Sequence, residues 1–295
     1  WEALRAGARI VGPALVVSQN STSVVPGGWQ FRLDKHNHAV LTQIKKQKPI
    51  QQSHTQEAAL ELFSNRFTAI AQEMGALLQR TSFSVNVKER LDFSCALMDS
   101  DGYLIVNAPH IPVHLGSMGV CVREVLKKIP IREGDVIITN HPAFGGSHLP
   151  DITLIKAVYV NKKRVGFVAN RAHHAEVGGS KPGSMPAHAT TLAEEGVIIA
   201  PTWLVKRGQP QWNAVKKLFT EAAFPTRSID ENLADLNGAL ASVNAGELLL
   251  KQLCEAHSTN IVLAQMQALK LYAAQQVGEK IKLVSNNVYS ATEQL

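Results

Sequence analysis

Two short runs hold the residues that could do chemistry. Asn140-His141-Pro142-Ala143-Phe144-Gly145-Gly146-Ser147-His148-Leu149-Pro150-Asp151 and Arg171-Ala172-His173-His174-Ala175-Glu176-Val177-Gly178-Gly179 contain four of the chain's eleven histidines and two carboxylates. Imidazole nitrogen with carboxylate oxygen is the ligand set of a Zn²⁺, Mn²⁺ or Fe²⁺ centre that keeps one position open for water or substrate. Taken singly, the Gly-Gly pairs suit plain turns, and a His-x-x-Asp spacing is common by chance. What joins them is the segment between. Ile152–Ala169 reads as two apolar, β-branched runs around a turn at Asn161-Lys162-Lys163, which is a hairpin. A hairpin returns its ends to one place, so His148 and Asp151 are expected beside His173 and His174. Successive side chains of an extended strand face opposite sides, so His173 and His174 divide between two faces.

The elements that must carry these runs can be read outward from them. Residues 1–43 are β-rich: Ile10–Val17 is a strand broken by a turn, Ser21–Trp29 ends in Pro26-Gly27-Gly28, and Gln30–Leu33 pairs with Ala39–Thr42 around a polar tip. That unit is too small to bury a core of its own. A linker follows over 44–56, with the chain's one short basic run at Lys45–Lys48. Phe63, Phe67, Ile70, Met74 and Leu77 recur at helical spacing and predict a helix that fails by Thr81-Ser82. Phe93–Met98 and Tyr103–Asn107 form a second hairpin about Asp99-Ser100-Asp101-Gly102. Asp92 stands at the entrance to that buried-looking strand, where an unpaired carboxylate is costly. His110 and His114 occupy a Pro-stiffened loop leading to a helix over Val120–Lys128. Lys181–Pro186 is a loop whose small residues permit close approach to the backbone, and Glu194–Ile199 returns to strand. Residues 228–284 are helical. Asp230-Glu231-Asn232 opens one helix, with acid at its positive end. Asn260–Leu283 carries Ile261, Met266, Leu269, Ala273, Val277 and Ile281 on one side. The expected class is α+β: a β-hairpin-rich core with flanking helices, behind a small β-rich tail of an upstream domain.

Composition removes several classes of function. At 295 residues and 45% hydrophobic, the chain can bury a sizeable core. No apolar run approaches the length of a membrane span, and the sequence opens at Trp1 with neither an initiator Met nor a basic-then-apolar signal segment, so it reads as a piece of a longer chain, with the cytoplasm expected from its cysteines. A net charge of +6 is mild and scattered, and the basic run lacks interleaved aromatics, which argues against nucleic acid. Cys95, Cys121 and Cys254 lack metal-ligand spacing and read as reduced, buried thiols.

Four runs in a fixed order resemble the hydantoinase B/oxoprolinase family. They are Asn86–Ala96, with Glu89-Arg90-Leu91-Asp92-Phe93; Asn107–Met118; Gly145–Asp151, with His148-Leu149-Pro150-Asp151; and Arg171–Gly179. Residues 1–43, with Gly12-Pro13-Ala14 and Ser21–Trp29, resemble the C-terminal end of the partner hydantoinase A domain. The domain division expected is therefore 1–43 as that end, 44–56 as linker, and 57–295 as the N-terminal part of the B domain. Two departures from the family pattern are His141, where relatives commonly have Asp, and Asn237-Gly238-Ala239, where Arg-Ala-Gln is frequent.

The resemblance implies an ATP-dependent hydrolase that opens a small cyclic amide, such as 5-oxoproline to glutamate in glutathione metabolism. It implies ATP with Mg²⁺ on the A-type half of the same polypeptide. It also implies a divalent metal (Zn, Mn or Fe) on the B half, held by Asp92, His148, Asp151 and His173. His174 and His114 are the candidate catalytic residues beside it. A homo-oligomer is expected, with neither nucleic acid nor membrane as partner. Two other readings stay open: part of an acetone- or acetophenone-type carboxylase, or a non-catalytic assembly module.

Overall fold

The computed structural model describes residues 3–44, 56–107, 111–184, 186–285 and 290. It falls into two units, Trp1–Thr55 and Gln56–Leu295. The basic run and most of the expected linker (45–55) lie outside the described residues, as does His110.

The first unit has five strands: β1 (Arg9–Val11), β2 (Ala14–Val17), β3 (Thr22–Val25), β4 (Trp29–Leu33) and β5 (Ala39–Gln43). β4 is flanked by β1 and β5, and β2 pairs with β3 separately, all antiparallel. The tip between β4 and β5 is closed by Asp34, whose carboxylate accepts from the backbone N–H of His36 and His38. Among the described residues, the buried apolar cluster of this unit is small: Val16, Val25, Phe31 and Leu33, with partly buried neighbours such as Ile10 and Trp29.

The second unit runs α1 (Gln56–Thr81), α2 (Val85–Lys88), β6 (Phe93–Asp99), β7 (Leu104–Asn107), α3 (Pro112–Lys128), β8 (Val136–Thr139), a 3₁₀ turn (Pro142–Phe144), β9 (Asp151–Val160), β10 (Lys163–His173), α4 (Leu192–Glu195), β11 (Thr202–Lys206), β12 (Gln209–Pro210), α5 (Trp212–Thr220), α6 (Ile229–His257) and α7 (Thr259–Lys282). Seven strands form one antiparallel sheet in the order β12-β11-β8-β9-β10-β6-β7. Helices cover both faces, which is why the central strands are apolar at nearly every position instead of alternating with polar residues. Phe93, Cys95, Leu97, Val136, Ile138, Ile152, Leu154 and Val168 pack with α1 and α6. Their sequence neighbours Ala96, Met98, Ile137, Ile155, Ala157, Phe167 and Ala169 pack with α3. The architecture is α+β, with helical layers around a hairpin-rich sheet.

The central hairpin turns on Asn161 and Lys162, both at positive φ (49° and 64°), the backbone a two-residue loop needs to match strand twist. Lys163 already pairs with Val160 and belongs to β10. The register shifts between Arg164 and Gly166, where a Cβ on Gly166 would lie 2.3 Å from the Met98 carbonyl oxygen. Only glycine fits that approach.

Several boundaries depart from expectation. α3 begins at Pro112, not Val120, because proline suits the first helical turn, where its missing N–H is unused anyway. His114 is thus helical. The face of α1 buries Leu78, and Leu77 is only partly covered. Along α7 the buried residues are Val262 and Met266, whereas Ile261, Val277 and Ile281 are exposed. Val197–Ile199 is not a strand. Two of its backbone groups go to a side chain: the Val197 carbonyl accepts from Asn140 Nδ2 (2.8 Å), which also donates to the Leu149 carbonyl (2.7 Å), and the Ile199 N–H donates to Asn140 Oδ1 (2.7 Å); the Val197 N–H goes to the Val177 carbonyl (2.7 Å). α4 starts instead on a capping box between Thr191 and Glu194. All three cysteines are free and buried, and burial pushes the Cys95 thiol up to about 12. Among the described residues no helix is long and apolar enough to cross a membrane.

Asn140 is fully buried and joins the end of β8, the segment before β9 and the 197–199 strip. Asn140→Ala strands three buried backbone groups, so we expect a loss of about 3 kcal/mol or more in denaturant unfolding. A loss below about 0.5 kcal/mol would show that water replaces the amide.

Candidate metal centre

Asp151 is the first residue of β9 and His173 the last of β10, and the two are direct cross-strand partners. Both point to the α3 side, the side of Ile155 and Ala169. His173 Nδ1 lies 2.7 Å from Asp151 Oδ1. His148, three residues before Asp151, donates its backbone N–H to Asp151 Oδ2 (3.2 Å) and holds its ring Nδ1 3.4 Å from that oxygen. The three side chains each offer a ligand atom within 4.8 Å of the others. Exposure rises across the group, from 1% for Asp151 through 18% for His173 to 55% for His148, so the cluster is buried on one side and open on the other.

The remaining expected residues are placed differently. His114, in the first turn of α3, brings Nε2 to 3.6 Å from Asp151 Oδ1 and Nδ1 to 3.2 Å from Ser94 Oγ; it backs the cluster from inside. Asp92 lies across from His173, whose N–H donates to the Asp92 carbonyl (2.9 Å). Its half-buried carboxylate acts on His173 through charge and is not among the three convergent donors. His174 faces the opposite side of the sheet. It is buried, with Nδ1 2.8 Å from Asn232 Oδ1 of α6, and burial lowers its pKa despite the Asp235 charge nearby.

Electrostatics bind the pair at the centre. Burial pulls the Asp151 carboxyl upward, but contacts with His114 and His173 outweigh it and hold the group well below the usual carboxylate range. Burial alone would lower His173; the hydrogen bond and charge of Asp151, with the charge of Asp92, raise it instead.

The loop carrying His148 is pressed onto α3. Gly145 has φ +77°, and a Cβ there would meet the Cys121 backbone N at 2.7 Å. His141 performs a short acceptor's role, its Nδ1 taking the Ala143 N–H (3.1 Å) to cap the 3₁₀ turn. Two residues that spacing does not reveal are Asn232, which holds His174, and Arg171, a fully buried cation inside β10. The sequence signal for Arg171 is a charge inside an otherwise apolar strand.

Comparison with known proteins places this geometry. The hydantoinase B/oxoprolinase model matches residues 56–295, and the hydantoinase/oxoprolinase C-terminal domain matches residues 1–44. The chain belongs to the hydantoinase B/oxoprolinase family. It is 42% identical to 5-oxoprolinase 1 of Arabidopsis thaliana over 99% of this chain and 24% of that protein. It is 39% identical to 5-oxoprolinase of Saccharomyces cerevisiae over 93% of this chain and 22% of that protein. The chain thus spans under a quarter of the length of these curated relatives. Among solved structures, the ATP-dependent caprolactamase of Pseudomonas jessenii superposes with a TM-score of 0.72 at 27% identity, over 85% of this chain and 42% of that one. Acetone carboxylase shares the fold, with a TM-score of 0.65 at 16% identity over 72% of this chain and 28% of that one.

The cross-strand pair sets a pH window for the metal-free protein. Asp151 is depressed, so its stabilisation is complete above the ordinary carboxylate range and is lost as pH falls. His173 is raised, so its contribution is complete below its ordinary 6.5 and is lost as pH climbs through the folded value. Asp151→Asn should therefore cost most, about 3 kcal/mol, between those limits, and progressively less in acid. Denaturant unfolding of both proteins across that range checks this; a pH-independent difference would contradict it.

Proposed function

We propose that this chain is the metal-bearing B-type portion of an ATP-dependent hydrolase of cyclic amides, opening 5-oxoproline or a related lactam or hydantoin. The observation that carries the reading is the convergence of His148, Asp151 and His173 at one open sheet end, in a chain related throughout to 5-oxoprolinases. Imidazole and carboxylate donors within 4.8 Å of one another fit a divalent cation such as Zn²⁺, Mn²⁺ or Fe²⁺. Asp92 is the fourth member we assign, on the strength of its place across from His173. When bound, such an ion supplies Lewis acidity and a water of lowered pKa.

The chain's own residues prepare that site. His173 Nδ1 and Asp151 Oδ1 face one another at 2.7 Å, so a cation that takes both as ligands replaces the proton between them. His148, more than half exposed, stands on the side from which substrate enters. His114, buried behind Asp151, keeps a polar group within reach of the inner carboxylate oxygen. His174 does not face the cluster, and we assign it to holding α6 against β10 through Asn232. The match of residues 1–44 to the hydantoinase/oxoprolinase C-terminal domain supports an A-type, ATP-binding half in the same polypeptide.

Elemental analysis of the full-length protein tests the centre. One divalent ion per chain is expected, lost from His148→Ala, Asp151→Ala and His173→Ala together with 5-oxoproline-dependent ATP hydrolysis. His174→Ala should keep the ion and lose stability instead. Unchanged metal in both His148→Ala and Asp151→Ala would refute the ligand assignment.

A further inference from the structure

Arg171 is fully buried, yet among the described residues no carboxylate lies within ion-pair reach of it. Other covered charges on this sheet behave otherwise. Lys156 of β9 pairs with Glu247 at 2.5 Å, and the carboxylate of Asp99 pairs with Lys270. A buried cation without an acid is unfavourable unless its donors are all occupied, so its retention calls for a reason in the hydrogen bonds it makes.

Those bonds go to four neutral oxygens on three separate elements. Nε donates to Thr153 Oγ1 of β9 (2.8 Å), two residues from Asp151. One terminal nitrogen donates to Ser117 Oγ of α3 (2.6 Å), one turn from His114, and to Ser147 Oγ (3.0 Å), the residue before His148. The other donates to the Gly145 carbonyl (2.8 Å) of the same loop. His173 itself lies two residues along β10, on the same face. The segments that carry Asp151, His114 and His148 are therefore tied to one rigid, planar fork on the strand that carries His173. Lysine, with its donors on a single atom, cannot span these directions.

We propose that Arg171 is a positioning residue for the metal centre. It fixes the Gly145–His148 loop, and with it His148, at the distance from Asp151 and His173 that a shared ion requires. This rests on the metal reading above. It adds that His148, the exposed member with no strand of its own, takes its position from the guanidinium's hold on its loop as well as from its own bonds to Asp151 at the start of β9.

The test is Zn²⁺ affinity of the full-length protein, measured by competition with a chromophoric chelator, with thermal unfolding of the metal-free form alongside. Arg171→Lys should lower Zn²⁺ affinity by at least about tenfold. Ser147→Ala, which removes one bond and leaves the charge, should give a smaller loss in the same direction without a large change in melting. The discriminating arm is a double-variant cycle. If Arg171 acts through His148, Arg171→Lys with His148→Ala binds no more weakly than His148→Ala alone. A merely structural role predicts additive penalties, and additivity overturns the proposal, as does Zn²⁺ affinity within twofold of the unaltered protein in both Arg171→Lys and Ser147→Ala. If Arg171→Lys does not fold, the same cycle run with Ser147→Ala decides. Failure of the metal reading itself would show differently, as unaltered protein that binds no Zn²⁺ tightly or as His148→Ala and His173→Ala that bind it undiminished.

Discussion

Everything at the site depends on the register of β9 against β10. Side chains alternate along a strand with a period of two, so a slip of one residue would put Asp151 and Thr153 on one face and Arg171 and His173 on the other. The two-residue turn at Asn161-Lys162 sets that register at one end, and the irregularity at Gly166 adjusts it early in β10. Beyond that point the pairing runs without a break to Asp151 and His173. The apolar residues interleaved with the polar ones make the register costly to change: Ile152, Leu154 and Ala172 fill the core with α6, and Ile155, Ala157 and Ala169 fill the core with α3. Core packing and site geometry are thus one constraint read on two faces.

The second constraint is charge. A sheet covered on both sides leaves little water for ionised groups, so each must find a partner inside. On the α6 face Lys156 uses Glu247 and Asn244. At the edge of the unit Glu176 accepts from Thr226 and from the backbone and guanidinium of Arg227, which holds its carboxyl below the ordinary range although burial alone would raise it. On the α3 face Asp151 is compensated by histidines, which carry charge only conditionally. A carboxylate matched this way is unsaturated as a ligand in a manner that a carboxylate matched by arginine is not: its partners can exchange a proton for a cation.

Much of this was legible in the residues. Apolar runs around Asn161-Lys162 give the hairpin, and the hairpin brings His148, Asp151 and His173 together without further information. Strand alternation separates His173 from His174, and the structure places them on opposite faces. The fold class follows from the alternation of hairpins with helical periodicity. What periodicity could not give were features decided by tertiary hydrogen bonds. The 197–199 strip looks like a strand, but its backbone is satisfied in part by the Asn140 side-chain amide and in part by the Val177 carbonyl. α3 starts early because Pro112 is read equally well as a loop former or a helix opener. Leu78 displaces Leu77 from the buried face of α1 because a helix of this length drifts against any fixed spacing. The direction in which His174 finds its partner depends on Asn232, far along the chain, and no local pattern points to it.

The site that results has one rigid wall and one adjustable wall. Asp151 and His173 are backbone-paired across two central strands, and their separation can change only if the sheet does. His148 belongs to a loop without strand pairing of its own, tied by the Asp151 carboxylate, by Arg171 and by the contact of Gly145 with α3. The glycines that let this loop lie flat also remove the side chains that would otherwise brace it, so its position must come from hydrogen bonds. The bonds that come from Arg171 have neutral oxygens as acceptors and one cation as donor, so none of them depends on the charge of an acceptor. The most exposed histidine of the cluster is thereby anchored through its loop by a fully buried group.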